Sequence, residues 1–185
     1  MQGSDIYLRP LELEDISRTA TWLLDPEISI ALDVLPRSRA HQEHWFQSAT
    51  LDSGKFIFAV CRRTDDEHLG NVSLTAVDVV NRHALLSAFI AARAHRRKGF
   101  STQAVRLLLA FAFGRLNLHR VHLKMSAESP GVASFYERLG FVREGLWRQH
   151  AFVRGAYQDR ILYGLLAGEF LESEAAADSS GHHVD

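Results

Sequence analysis

An α+β domain, with a mixed sheet and helices on its faces, is predicted by three observations on this 185-residue sequence. Three strand-like runs follow one another with only short polar turns between them. Later strand-like runs alternate with helix-like ones, a change of order that builds a mixed sheet. Finally, 46% of the residues are hydrophobic, enough for one well-packed core with little left for a second.

The elements read in order as follows. Ile6 to Pro10 is a short opening strand, and Glu12 to Leu24 a helix, with Leu13, Ile16, Ala20 and Leu23/Leu24 at helical spacing. A second helix spans about His41 to Thr50. The consecutive strands are 56–62, 69–77 and 84–92, separated by Thr64-Asp65-Asp66-Glu67 and by Asp78 to His83, as in an antiparallel meander. A helix over 101–116, apolar around most of its circumference, precedes a strand at 119–127. Ser129, Pro130 and Gly140 punctuate a short helix at 131–139. Strands at 141–152 and 157–166 complete the body. Residues 171–185 carry four acids, no Lys or Arg and almost no large apolar group, so a disordered acidic tail is expected after a single domain at 1–170.

Charge narrows the partners. The chain has 21 Lys and Arg against 22 Asp and Glu, a net charge of -1, which does not suggest general nucleic-acid affinity. No run approaches the roughly 18 apolar residues that cross a bilayer, and residues 1–15 are interrupted by acids. The single cysteine, Cys61, sits in an apolar run and reads as a buried thiol. A cytoplasmic protein without membrane or nucleic-acid partners is the expectation.

Chemistry concentrates in two stretches. Arg96-Arg97-Lys98-Gly99-Phe100-Ser101-Thr102 follows an apolar strand and opens a helix. Glycine permits close backbone approach, and the first helical turn offers unpaired N–H groups, so an anion such as a diphosphate fits there. A solvated basic loop with Ser101 as an ordinary N-cap explains the same pattern equally well. Neither a Gly-x-Gly-x-x-Gly nor a P-loop pattern is present. The second stretch is Ser129 to Phe141, where Tyr136 falls on the inward stripe beside Val132 and Leu139. By periodicity alone, Tyr136 is a core residue whose hydroxyl finds a neighbour.

Taken together, Arg96-x-x-Gly99-x-Ser101, the strand Leu118 to Leu123, Phe135 to Phe141 with Glu144-Gly145, and the later Tyr157-x-Asp159 and Tyr163 to Leu166 resemble the GCN5-related N-acetyltransferase (GNAT) superfamily, in its RimJ/RimL-like branch. The resemblance covers roughly residues 6–170. It implies a mostly antiparallel sheet of about seven strands, splayed at the cofactor site and flanked by about four helices. It further implies acetyl-CoA as co-substrate, with its pyrophosphate at 97–102 and its pantetheine and acetyl carbonyl along Phe89, Ile90 and Ala91. Ser129 and Phe135 complete the expected cofactor set with Arg96, Arg97, Lys98, Gly99, Phe100, Ser101 and Thr102, and Tyr136 becomes the candidate acid.

Three departures from the family pattern stand out. Ser101 replaces the last glycine or alanine of the loop, Ser129 replaces an asparagine, and Leu85 stands where many relatives carry a glutamate. The base is therefore sought among Glu128, His119, His122 or water. His41/His44 and His119/His122 complete no metal-ligand pattern, and no metal is expected. The expected acceptor is a small-molecule primary amine such as an amino sugar, polyamine or antibiotic. A protein N-terminus is the alternative, a non-catalytic acyl-CoA sensor a second, and a homodimer is admitted. Residues 25–50, with Asp25, Glu27, Asp33, Glu43 and Trp45, are the expected acceptor wall.

Overall fold

A computed structural model describes residues 1–91, 95 and 98–180, the last five as backbone. Seven strands form one sheet: β1 (Ile6–Pro10), β2 (Phe56–Arg62), β3 (His68–Asp78), β4 (His83–Ile90), β5 (Arg120–Ser126), β6 (Val142–Val153) and β7 (Ala156–Leu166). Their order is β1-β2-β3-β4-β5-β7-β6. Every neighbouring pair is antiparallel except β4 and β5. Six α-helices are present among the described residues: α1 (Ile16–Trp22), α2 (Pro26–Ala31), α3 (Arg39–Thr50), α4 (Phe100–Gly114), α5 (Pro130–Arg138) and α6 (Ala167–Ser180).

Period-two alternation distributes the strand residues between two cores. In β2, Phe56, Phe58 and Val60 pack on the α4 side, whereas Ile57, Ala59 and Cys61 pack with Leu11 and Ile16 on the other. Cys61 is fully buried, as the sequence implies, and burial pushes its thiol up from the ordinary value. Helix α4 inserts Ala104, Val105, Leu108, Leu109 and Ala112, all without solvent exposure, into the larger core. Each of the larger of these side chains contributes about 1.5–3 kcal/mol by leaving water, so the N-terminus of α4 is held firmly.

Three elements differ from the sequence expectation. The predicted helix at 12–24 is a 3-10 turn at Leu13–Asp15 followed by α1, because Asp15 turns inward to accept from both guanidinium nitrogens of Arg9 at 2.6 and 2.8 Å. Helix α2 was not predicted, although Asp25 accepts from the Glu27 N–H and Pro26 occupies the first turn, an ordinary helix start. The tail expected from residue 171 is helical through Ser180, because Phe170 buries itself against Phe113 and starts α6 on the body. No helix among the described residues is long and apolar enough to cross a membrane.

The feature that positions the site is the β4–β5 seam. Its parallel pairing covers only His83–Arg120, Ala84–Val121 and Leu85–His122. Beyond it β5 stays paired with β7 to Ser126, while β4 stays paired with β3 to Ile90. The two strands therefore part at mid-sheet.

Candidate active site

The edge of β4 in the opening is defined by alternation. The Arg120 N–H donates to Arg82 O, and the Ala91 N–H donates to Leu69 O at 2.8 Å. Even-numbered residues thus face β5 and odd-numbered ones face β3. The Leu86 N–H closes the last bridge to β5, and beyond it the Leu86 C=O and the main-chain N–H and C=O groups of Ala88 and Ile90 point into the gap, where no strand among the described residues meets them. Of the three residues expected to hold a ligand by main-chain bonds, Ile90 is so directed. Phe89 and Ala91 have their N–H groups turned to β3, and Phe89 contributes its side chain instead.

Gly99 precedes α4 with φ 81°, a left-handed conformation that favours glycine. A Cβ added there would meet no atom of the described residues within 4 Å. The first helical bond runs from the Gln103 N–H to Gly99 O, leaving the N–H groups of Phe100, Ser101 and Thr102 without intrahelical acceptors. Lys98 is exposed beside them, Thr102 is half-buried, and Phe100 is buried as an anchor. Arg96 and Arg97 lie outside the described residues.

A cleft of about 590 Å³ fills the gap, lined by Phe89 and Ile90, by Ser101 and Ala104, and by Ser129, Phe135 and Tyr136. The open strand edge, the free helix N-terminus and this volume fit a long thioester cofactor with a pyrophosphate at one end. Of the cofactor set expected from sequence, Phe89, Ile90, Ser101, Ser129 and Phe135 line the cleft, while Lys98, Gly99, Phe100 and Thr102 lie at the adjoining start of α4 and do not. The structure adds Glu27, Ile28 and Ala31 of α2, which sequence reasoning assigned to the acceptor wall. The Asp25-Pro26 helix start was the available signal for that element.

Tyr136 is 7% exposed and packed between Phe135 and Phe141, and burial pushes its phenol up to about 12. Its hydroxyl makes no hydrogen bond among the described residues. Tyr163, equally buried, shows the ordinary solution: its hydroxyl donates to Glu137 Oε1 at 2.9 Å. The core-only expectation for Tyr136 fails on this point, since its polar atom is left for whatever enters the cleft.

Glu128 is exposed and accepts from Gln158 Nε2 at 2.8 Å. It does not line the cleft. Nor does His119 or His122; the latter packs against His83 at 5.5 Å, and burial lowers its proton affinity.

A second chamber, about 410 Å³, opens on the other face of β4 and is lined by α1, α3, β3, β4 and the segment 32–37. Phe89 lines both chambers. From the expected acceptor wall at 25–50, the residues Leu32, Val34, Leu35, Arg37, His41, Gln42 and Trp45 line it, but of the acids singled out there none does. Asp25 caps α2, Glu43 accepts from Arg39, and Asp33 pairs with the buried Arg160 and with Lys124 at 3.1 Å. Burial works to raise the Asp33 carboxyl, but the bonds from Arg160 and Lys124 outweigh it and hold it below the usual range.

Gly70 was missed by sequence reasoning. A Cβ there would lie 2.1 Å from Phe89 O, so only glycine lets β3 approach β4 where the two chambers meet. Its signal was a glycine inside a strand pattern. Behind the chamber, His68 is buried edge-on to Trp22, and its Nε2 donates to Asn71 Oδ1 at 2.7 Å and to Gly70 O at 3.0 Å. Asn71 Nδ2 donates onward to Thr19 at 3.2 Å.

Comparison with known proteins agrees with this geometry. Residues 5–142 match the family model described as acetyltransferase (GNAT) domain. The N-acetyltransferase p20 of Bacillus licheniformis, itself uncharacterized, is 27% identical over 169 residues, covering 89% of this chain and 94% of that protein. The spermidine N(1)-acetyltransferase of Escherichia coli strain K12 is 27% identical over 177 residues, covering 90% and 88%. The crystal structure of spermidine N-acetyltransferase from Vibrio cholerae in complex with CoA and spermine superposes with a TM-score of 0.87 at 28% identity, over 91% of this chain and 99% of that one. The chain belongs to the GNAT acetyltransferase family, whose chemistry is acetyl transfer from acetyl-CoA to an amine. It is an N-acetyltransferase.

Proposed function

We propose that the 590 Å³ cleft takes acetyl-CoA and that a small-molecule primary amine attacks its thioester directly from the 410 Å³ chamber. The observation that carries this reading is the parting of β4 from β5 after Leu85, with an unpartnered Tyr136 in the gap. Acetyl-CoA supplies an activated acetyl group on a thiol leaving group. The N–H groups at 100–102 and the side chains of Lys98, Arg96 and Arg97 would neutralise the pyrophosphate, and Ile90 would bond the pantetheine arm through its main chain. Ser101 is small enough to keep that approach open. Ser129 and Phe135 would flank the arm.

Tyr136 keeps its proton at every physiological pH, since its phenol is pushed up to about 12. Its role is therefore to donate a hydrogen bond to the charge developing on sulfur. Of the bases expected from sequence, Glu128, His119 and His122 line neither chamber and water remains; the titratable groups that do line them are Glu27 in the cleft and His41 in the acceptor chamber, either of which would take the proton of the amine directly or through water. Placement in the RimJ/RimL-like branch rests on the loop and helix motifs, and a cytoplasmic setting on the composition. Spermidine and other small amines enter as candidate acceptors through the relatives' names.

The test is acetyl-CoA with a panel of amines, followed by thiol release and by melting temperature. Acetyl-CoA should stabilise the fold by about 2.7 kcal/mol at a hundred times its Kd, and at least one primary amine should release free thiol. Stabilisation without thiol release from any amine would make the protein a sensor.

A further inference from the structure

The acceptor chamber is poorly suited to a polycation. Among the described residues, no Asp or Glu lines it. Leu32 and Val34 face it, while Asp33 between them is turned away to Arg160 and Lys124. Its walls join apolar side chains, among them Leu23, Leu32, Leu35, Trp45, Ile57 and Phe89, with the neutral hydroxyls of Thr19, Ser73, Thr75 and Ser87. Its charged or titratable members are Arg37 and His41, both exposed. A polyamine that offers one nitrogen for reaction keeps its other ammonium groups, and none that entered the chamber would meet a carboxylate there.

The polar groups point to a different ligand. The Asn71 amide is already engaged by His68 and Thr19. Gln42 is 8% exposed, lines the chamber, and its side-chain amide makes no hydrogen bond among the described residues. Arg37 forms no ion pair among the described residues, and a guanidinium at a chamber mouth matches a carboxylate in a bidentate fork.

We infer that the acceptor is a monoamine carried on an apolar, ring-sized body, with a carboxylate at its far end bound by Arg37 and a polar atom bonded to Gln42. This deepens the acetyltransferase reading and rests on it.

The experiment measures kcat/KM by thiol release for 4-(2-aminoethyl)benzoate, its uncharged counterpart phenethylamine, and spermidine. The expected order places the carboxylated amine first and spermidine at least about tenfold below it. Arg37→Glu should lower the ratio of the carboxylated to the uncharged amine by about tenfold or more. Gln42→Glu, which puts a carboxylate into the chamber, should move the preference toward spermidine. Each variant's melting temperature with and without acetyl-CoA shows that folding and donor binding persist. Spermidine as the best substrate, or an unchanged ratio in Arg37→Glu, overturns the acceptor assignment while acetyl transfer stands. Absence of thiol release from every amine overturns both readings.

Discussion

The two chambers that meet at Phe89 are built by different means. The 590 Å³ cleft proposed for the donor presents backbone groups, from the open strand edge at Ala88 and Ile90, a left-handed glycine and the first turn of α4, beside the side chains of Phe89, Phe135 and Tyr136. The acceptor chamber is made of side chains from α1, α3, β3, β4 and the segment 32–37, which are distant in sequence. A cofactor with a fixed shape is served by main-chain geometry that many side chains tolerate. An acceptor that differs between enzymes needs walls that change by substitution, and those walls must then be held by their own interactions.

The largest expected effect breaks the acceptor side alone. Asp33→Ala leaves Arg160, which is 2% exposed, with an unpaired buried charge, and should cost about 3–5 kcal/mol of stability. The melting temperature should fall by roughly 10 °C or more, and the KM for amine should rise more than that for acetyl-CoA. Equal losses on both substrates would mean that the chambers are not independent.

Next comes Tyr136→Phe, which keeps the ring and its packing. Turnover should drop about 10²–10³-fold, the range for removing one preorganised donor to developing charge, while acetyl-CoA raises the melting temperature as before. Retention of more than about a third of wild-type turnover, measured where chemistry limits the rate, returns Tyr136 to the core.

Gly99→Val acts on the donor side through backbone strain, since φ 81° disfavours a branched side chain although nothing among the described residues obstructs its Cβ. It should remove most of the roughly 2.7 kcal/mol that acetyl-CoA adds at a hundred times Kd. A ligand-induced shift equal to that of the wild type would move the pyrophosphate site elsewhere.

The smallest effect is a pH asymmetry. Burial lowers the proton affinity of His68, and Asp15, despite a burial contribution that raises it, is held below its usual range by Arg9 and by the Glu12 N–H. Both folded values lie below the unfolded ones, near 6.5 and 3.9. Their stabilisation is therefore complete above those values and lost as pH falls through the folded ones. Tyr136, shifted upward, contributes nothing on the acid side. Hydrogen-exchange protection factors, which remove the intrinsic pH dependence of exchange, should fall around 68–73 before 100–112 between pH 7.5 and pH 5, and around 15–22 only as the pH falls below about 4. A uniform fall would show that the two sides open as one unit.

Much of the donor side was legible because its signals are local. The Gly99 loop, the helix bracketed by Pro130 and Gly140, and the strand at 84–92 are each set by residues adjacent in the chain, through φ preferences, capping and alternation. Their combined spacing suffices to indicate the family. Other features depend on residues that meet only after folding. Glu137 is the chain neighbour of Tyr136, yet it accepts from the hydroxyl of Tyr163, 26 positions later, and leaves that of Tyr136 without a partner among the described residues. The acids of 25–50 read as a wall for cations, yet Asp33 is drawn off by Arg160, 127 positions later. Gly70 matters because Phe89 O lies 2.1 Å from where its Cβ would be. Thus the sequence by itself determined the seven strands, four of the helices and the glycine loop, because short-range backbone preferences act between near neighbours, whereas the insertion of β7 between β5 and β6 came only with the tertiary structure. Which polar groups stayed free to meet a ligand was decided only by tertiary structure, since hydrogen-bond satisfaction and charge pairing depend on distances that no single segment contains.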